Sequence, residues 1–137
     1  MFPFLFVPQV GAQEYPNKVI TMVVPFAAGG PTDTVARLIA APMSKILKQQ
    51  VIIENVLGAG GTIAANRVAK AAPDGYTLLI HHIGQSTAPA LYHKLPYDAL
   101  NDFETIGLIN EVPMTLVAKK DFPAKDLIDY LCEGQQG

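Results

Sequence analysis

Val23-Val24-Pro25-Phe26-Ala27-Ala28-Gly29-Gly30-Pro31-Thr32-Asp33 joins an apolar run to a helical pattern through two glycines. The β-branched and apolar residues Val19, Ile20, Met22, Val23 and Val24 stop at Pro25. Two glycines and a proline follow, and apolar residues then recur at three- and four-residue steps. That order predicts a strand, a tight turn and a helix N-terminus. The strand is expected over 18–25. Its nearly continuous apolar character fits a strand covered on both faces of a parallel sheet. Pro31 suits the first helical position, where its missing N–H would be unpaired anyway.

Working outward, the helix after Pro31 is expected to bury a stripe of Val35, Leu38, Ile39, Met43, Ile46 and Leu47. Pro42 interrupts that pattern and predicts a kink or a split near Ala41. The same grammar then repeats. Val51-Ile52-Ile53-Glu54 reads as a second strand, Gly58-Ala59-Gly60-Gly61-Thr62 as a second glycine turn, and 62–72 as a second helix. That helix has a thin face of Ala64, Ala65, Val68, Ala69 and Ala72, which implies close packing on a sheet. Ala28-Gly29-Gly30 and Ala59-Gly60-Gly61 stand 31 positions apart (28 to 59), about the size of one βαβ unit. Two such units place both glycine turns at the carboxyl edge of a parallel sheet, where ligands of open α/β sheets bind.

Pro73-Asp74-Gly75 is a turn signal, with proline pre-setting φ and glycine permitting positive φ. Tyr76 to Ile80 reads as the third strand, Gly84 to Thr87 as a polar loop at its exit, and Ala88 to His93 as a short helix. Thr105 to Leu108 and Met114 to Ala118 read as further strands, and 124–131 as a helix.

Composition bounds the function. The 137 residues suffice for one domain, half of them are hydrophobic and 16% are charged, so a buried core is expected. Ten Lys+Arg against twelve Asp+Glu give a net charge of −2 with no basic block, which disfavours nucleic acid. The single cysteine, Cys132, excludes an internal disulfide. No apolar run reaches the roughly 18 residues of a spanning helix. Phe2-Pro3-Phe4-Leu5-Phe6-Val7 with Val10-Gly11-Ala12 reads either as a signal-peptide remnant or as a disordered apolar terminus, so 1–14 are set apart from the fold.

A glycine turn opening a helix leaves backbone N–H groups at the positive end of the helix dipole, and so forms an anion site. Neither turn matches a nucleotide-loop pattern in full. Thr62-Ile63 stands where a Walker loop needs Lys-Ser/Thr, and Gly58-Ala59-Gly60-Gly61-Thr62-Ile63 supplies only the start of a dinucleotide fingerprint. Asp33 either complements the dipole, orients the glycine loop, or accepts from a ligand. Ser86 and Thr87 either donate hydroxyls to a carboxylate or cap the following helix. His81 and His82, adjacent on a strand, are expected to point to opposite faces and so not to share an ion. His93 has no ligand-spaced partner, so no metal site is expected. No G-x-S-x-G elbow is present, and nothing marks the chain as an enzyme.

Tyr15-Pro16-Asn17-Lys18, Val23 through Gly30, Asp33 and Ala36-Arg37 together resemble the opening of the Bug family, the extracytoplasmic solute receptors of tripartite tricarboxylate transporters. Glu54-Asn55, Gly58 through Gly61, and Val68-Ala69-Lys70-Ala71-Ala72-Pro73-Asp74-Gly75-Tyr76-Thr77-Leu78-Leu79 resemble a second family block. Ala90-Leu91-Tyr92, Lys94-Leu95-Pro96-Tyr97-Asp98 and Asp102-Phe103 resemble a third. The resemblance implies a type II periplasmic-binding-protein fold, here a first α/β lobe over 15–127 with a mostly parallel sheet flanked by helices. It also implies a periplasmic location, a small carboxylated solute as ligand, transporter membrane components as partners, and no cofactor. By motif, Phe26, Ala27, Ala28, Gly29, Gly30, Asp33, Gly58, Ala59, Gly60, Gly61, Gly84, Ser86 and Thr87 are expected to line the site. Two departures stand out. Val56-Leu57 replaces the usual Arg-Pro, and His81-His82-Ile83-Gly84-Gln85 replaces a smaller polar loop. The likeness fades after Leu127, so 128–137 read as an aberrant tail and the second lobe as missing, with weak or absent solute binding expected. A small phosphate- or nucleotide-binding enzyme domain and a non-functional remnant are the rival readings.

Overall fold

The computed structural model describes residues 15–113 together with 115, 117, 120, 126, 128 and 129. Three strands, β1 (Ile20–Val24), β2 (Val51–Asn55) and β3 (Thr77–Leu79), form one parallel sheet in the order β2-β1-β3. Three helices follow them in turn: α1 (Pro31–Leu47), α2 (Thr62–Ala69) and α3 (Gly84–Leu91). A short 3₁₀ turn over Ala59–Gly61 leads into α2.

The central strand is apolar on both faces because both are covered. Ile20, Met22 and Val24 pack with Ala36 and Ala40 of α1, while Val23, on the alternate face, is fully buried. α1 packs on β1 and β2, α2 packs on β1 and β3, and the two helices do not touch. Right-handed crossovers put them on opposite faces, since the first connection runs outward to β2 and the second returns across β1 to β3.

The chain therefore leaves β1 in one direction and β3 lies on its other side. That reversal opens a crevice at the carboxyl ends of β1 and β3, the usual ligand position of an open α/β sheet. Both glycine turns and the segment after β3 converge there.

The helices differ from expectation in instructive ways. The buried stripe of α1 is centred on Ala36 and Ala40, with Val35, Ile39, Met43 and Leu47 beside it. Leu38 and Ile46 are 70% and 78% exposed, because the two alanines let the helix lie close to β1 and turn those larger residues outward. Pro42 does not split α1. It sits on the exposed side, where water reaches the carbonyl that its missing N–H leaves unpaired. α2 ends at Ala69 rather than 72, with Ala64 and Ala65 fully buried as the close-packing pattern requires.

Gly84 to Thr87 is not a loop but the first turn of α3, which ends at Leu91. At the opposite edge of the sheet the Pro73-Asp74-Gly75 turn is pinned by Tyr15, whose hydroxyl donates to the Gly75 carbonyl at 2.8 Å. Lys18 pairs with Asp74 at 2.9 Å and lies over the Tyr76 ring.

Residues 15–104 belong to the unit just described, and the chain from Thr105 onward forms a second unit. No strand forms over 105–108. The expected strand at 114–118 and helix at 124–131 fall largely outside the described residues. Among the described residues no helix is long and apolar enough to cross a membrane.

Candidate functional site

Asp33 anchors the first glycine turn. The residue is 1% exposed, and four donor atoms converge on its carboxylate. The Gly29 amide donates at 2.8 Å, Arg37 donates through Nε at 2.8 Å and Nη2 at 3.1 Å, and Asn55 Nδ2 donates at 2.9 Å. These bonds, that from Arg37 foremost, hold the carboxyl far below the usual carboxylate range. Of the three roles open to Asp33, the geometry gives it loop orientation, and its oxygens are already taken. Asn55 closes the arrangement by also donating to the Phe26 carbonyl at 2.9 Å, which ties the end of β2 to the first turn. Glu54-Asn55 is visible in the sequence as a family block, but nothing there marks Asn55 as the link.

The glycines supply shape more than donors, which corrects the simplest expectation for them. Gly29 gives its amide to Asp33, Gly30 gives its own to the Ala27 carbonyl, and Gly61 bonds Gly58. The turn N–H groups without a partner among the described residues include those of Ala27, Ala28, Ala59 and Gly60, all four in exposed residues. The second turn is left-handed through Ala59 (φ +43°), Gly60 (φ +62°) and Gly61 (φ +97°). At Gly61 a Cβ would come within 2.7 Å of His81 Nε2 and 3.0 Å of Pro25 Cβ. Thr62 closes the turn by donating its hydroxyl to the Ala59 carbonyl at 2.9 Å.

The third element differs most from expectation. β3 ends at Leu79, so His81 and His82 lie beyond the strand and their rings do not take opposite faces. They meet each other edge to face at 5.2 Å and both pack on Phe26, His82 stacked at 4.5 Å and His81 edge-on at 5.8 Å. Burial, with the neighbouring His82, pushes the His81 pKa down. The α3 amides are consumed locally: Gly84 donates to His82 Nδ1, Gln85 to the His82 carbonyl, and Ser86 and Thr87 to the Ile83 carbonyl. Gly84 seats the two rings, since a Cβ there would lie 2.8 Å from His82 Cε1. Thr87 turns its hydroxyl back on the Ile83 and Gly84 carbonyls, whereas Ser86 stays exposed.

Both arginines that a phosphate site would need are engaged. Arg37 is held by Asp33, and Arg67 forks onto Glu54 at 2.6 and 2.9 Å. Among the described residues no group of three or more His, Cys, Asp or Glu could hold a metal ion.

Residues 35–136 match the family model for the tripartite tricarboxylate transporter family receptor. The chain belongs to that receptor family. Among its relatives is the UPF0065 protein in the TAR-I ttuE-ttuC' intergenic region of Agrobacterium vitis, 56% identical over 117 residues, which are 85% of this chain and 34% of the relative. Protein BugT of Bordetella pertussis is 37% identical, the match covering 93% of this chain and 40% of that protein. MatC (Rpa3494) of Rhodopseudomonas palustris, solved with bound malate, superposes with a TM-score of 0.74 at 52% identity, covering 88% of this chain and 42% of that one. R. palustris Rpa4515, solved with adipate, gives a TM-score of 0.71 at 39% identity over 90% of this chain and 42% of that one. The α/β architecture is thus that of periplasmic binding proteins. The chain spans about a third of the length of the curated relatives it matches.

Proposed function

We propose that this chain is a periplasmic receptor segment that binds small carboxylated solutes for a tripartite tricarboxylate transporter. The observation that carries the reading is the set of unpartnered N–H groups of Ala27, Ala28, Ala59 and Gly60, presented by two neighbouring turns at the switch point of the sheet. A carboxylate has two oxygens, each able to accept from more than one donor, and backbone amides bind it without needing a side-chain charge. Phe26 through Gly30 and Gly58 through Gly61 form the two walls. Asp33 and Asn55 hold the first wall in shape rather than touching solute. Malate and adipate, present in two family structures, are acids of the class the site would take.

The donors lie on an exposed edge, so a bound acid keeps water on its other side and affinity is low, of the order of 1 mM. Titration calorimetry of the 137-residue chain with malate, succinate, adipate and citrate tests this, with inorganic phosphate as the contrast. Millimolar binding of the acids with weaker binding of phosphate is expected. Phosphate binding tighter than every acid would overturn the reading in favour of a phosphate-handling domain. The engaged state of Arg37 and Arg67 argues against that outcome.

A further inference from the structure

The histidine pair is the feature of the crevice that the glycine turns do not explain. A backbone amide can only donate, so an imidazole nitrogen facing one must be bare. The His82 amide lies 2.9 Å from His81 Nδ1, and the Gly84 amide lies 2.8 Å from His82 Nδ1. The neutral His82 ring therefore carries its proton on Nε2, whereas His81 Nδ1 lies between the His82 amide and the His82 carbonyl, the latter at 3.2 Å. The two Nε2 atoms are not equivalent. That of His81 packs beside Gly61, where it fills the space of a missing Cβ. That of His82 is exposed and has no partner among the described residues.

The His82 ring is also held in place. It stacks on Phe26 with an interplanar angle of 14°, abuts His81, and is gripped through Nδ1 by the amide that starts α3. Phe26 belongs to the first glycine turn, so the fixed donor stands at the same crevice as the free amides of Ala27 and Ala28. A donor whose ring plane and tautomer are both set in advance loses little freedom on binding, which favours discrimination between ligands.

We propose that His82 is a specificity-determining residue of this crevice, its Nε2–H reading a second acceptor group on a solute whose carboxylate sits on the glycine turns. The inference rests on the carboxylate reading given above and names the class within it: acids with a second carboxylate or comparable acceptor, in preference to simple monocarboxylates. His81 is the positioning residue, bracing the His82 amide and ring against Gly61.

The test compares succinate with butyrate, which share a four-carbon skeleton and differ in the second carboxylate. Calorimetry of the 137-residue chain is expected to favour succinate. His82→Phe keeps an aromatic ring for Phe26 and removes the donor, and it should lower the succinate-to-butyrate affinity ratio about tenfold. His82→Gln, which retains an N–H donor, should recover part of that ratio. Long-range ¹H–¹⁵N spectra of the histidine rings should show His82 Nδ1 bare, and Nε2 shifting with succinate but not with butyrate. If both acids bind, the ratio is unchanged in His82→Phe and the ring nitrogens do not respond, the role of His82 is overturned while the carboxylate reading stands. If neither acid binds, the carboxylate reading itself fails and this inference falls with it.

Discussion

Replacing Gly61 by alanine probes the second glycine turn where its geometry is most demanding. The residue has φ +97° and ψ −5°, a left-handed conformation that costs an L-residue about 1–2 kcal/mol. Part of that is offset, because alanine also narrows the unfolded ensemble, by about 0.4–1 kcal/mol. Steric overlap adds to it. The new Cβ would stand 2.7 Å from His81 Nε2 and 3.0 Å from Pro25 Cβ. Pro25 is fully buried and rigid, and the His81 ring is tethered through Nδ1, so neither can simply swing aside. Forcing a methyl into such a site costs about 1–3 kcal/mol. Gly29→Ala is the matched control, because Gly29 is also left-handed (φ +80°) but nothing lies within 4 Å of its Cβ position. Urea unfolding monitored by circular dichroism should place Gly61→Ala about 1–3 kcal/mol below Gly29→Ala, the difference reporting the overlap alone. Equal midpoints for the two variants, at equal m-values, would refute the packing of His81 and Pro25 against this turn.

Acid should loosen the first turn late. Asp33 is depressed in the fold relative to an unfolded value near about 3.9, so its contribution is complete above that pH and is lost only as pH falls toward its folded value. A stability profile of wild type should therefore decline below about pH 4, while Asp33→Asn should be less stable at neutral pH and flatter across that acid range. Asn55→Ala removes two donors from the same turn, leaving the Phe26 carbonyl and one Asp33 oxygen short, and should lower stability by about 1–3 kcal/mol in urea titrations. Arg67→Ala breaks an ion pair whose side chains are 53% and 39% exposed, and its effect should stay within about 1 kcal/mol by the same measurement.

The elements that are legible from sequence owe this to local chemistry. Ile20 to Val24 read as a strand buried on both faces, Pro31 suits the opening of a helix, and the repeated glycine clusters place two turns at one sheet edge. The three family blocks add the architecture. What stays hidden depends on partners distant in the chain or on the competition among donors within a turn. Nothing local shows that Asp33 captures the Gly29 amide, or that Asn55, 22 residues further on, secures the same carboxylate. The free donors therefore shift from Gly29, Gly30 and Gly61 to Ala27, Ala28, Ala59 and Gly60. The histidines mislead for a related reason. Alternation holds only while the strand continues, and β3 stops at Leu79, so both rings turn onto Phe26. The same packing provides the Nδ1 acceptor that lets α3 begin at Gly84, a helix start without the usual Ser, Thr, Asp or Asn signal.

Residue-resolved amide titration with succinate tests the carboxylate cradle most directly. In ¹H–¹⁵N correlation spectra the amides of Ala27, Ala28, Ala59 and Gly60 should move together in one saturable event. Those of Gly29, Gly30 and Gly61, already bonded within the turns, should move much less. Succinate-dependent shifts confined to residues away from both turns would contradict the assignment of this crevice as the solute site.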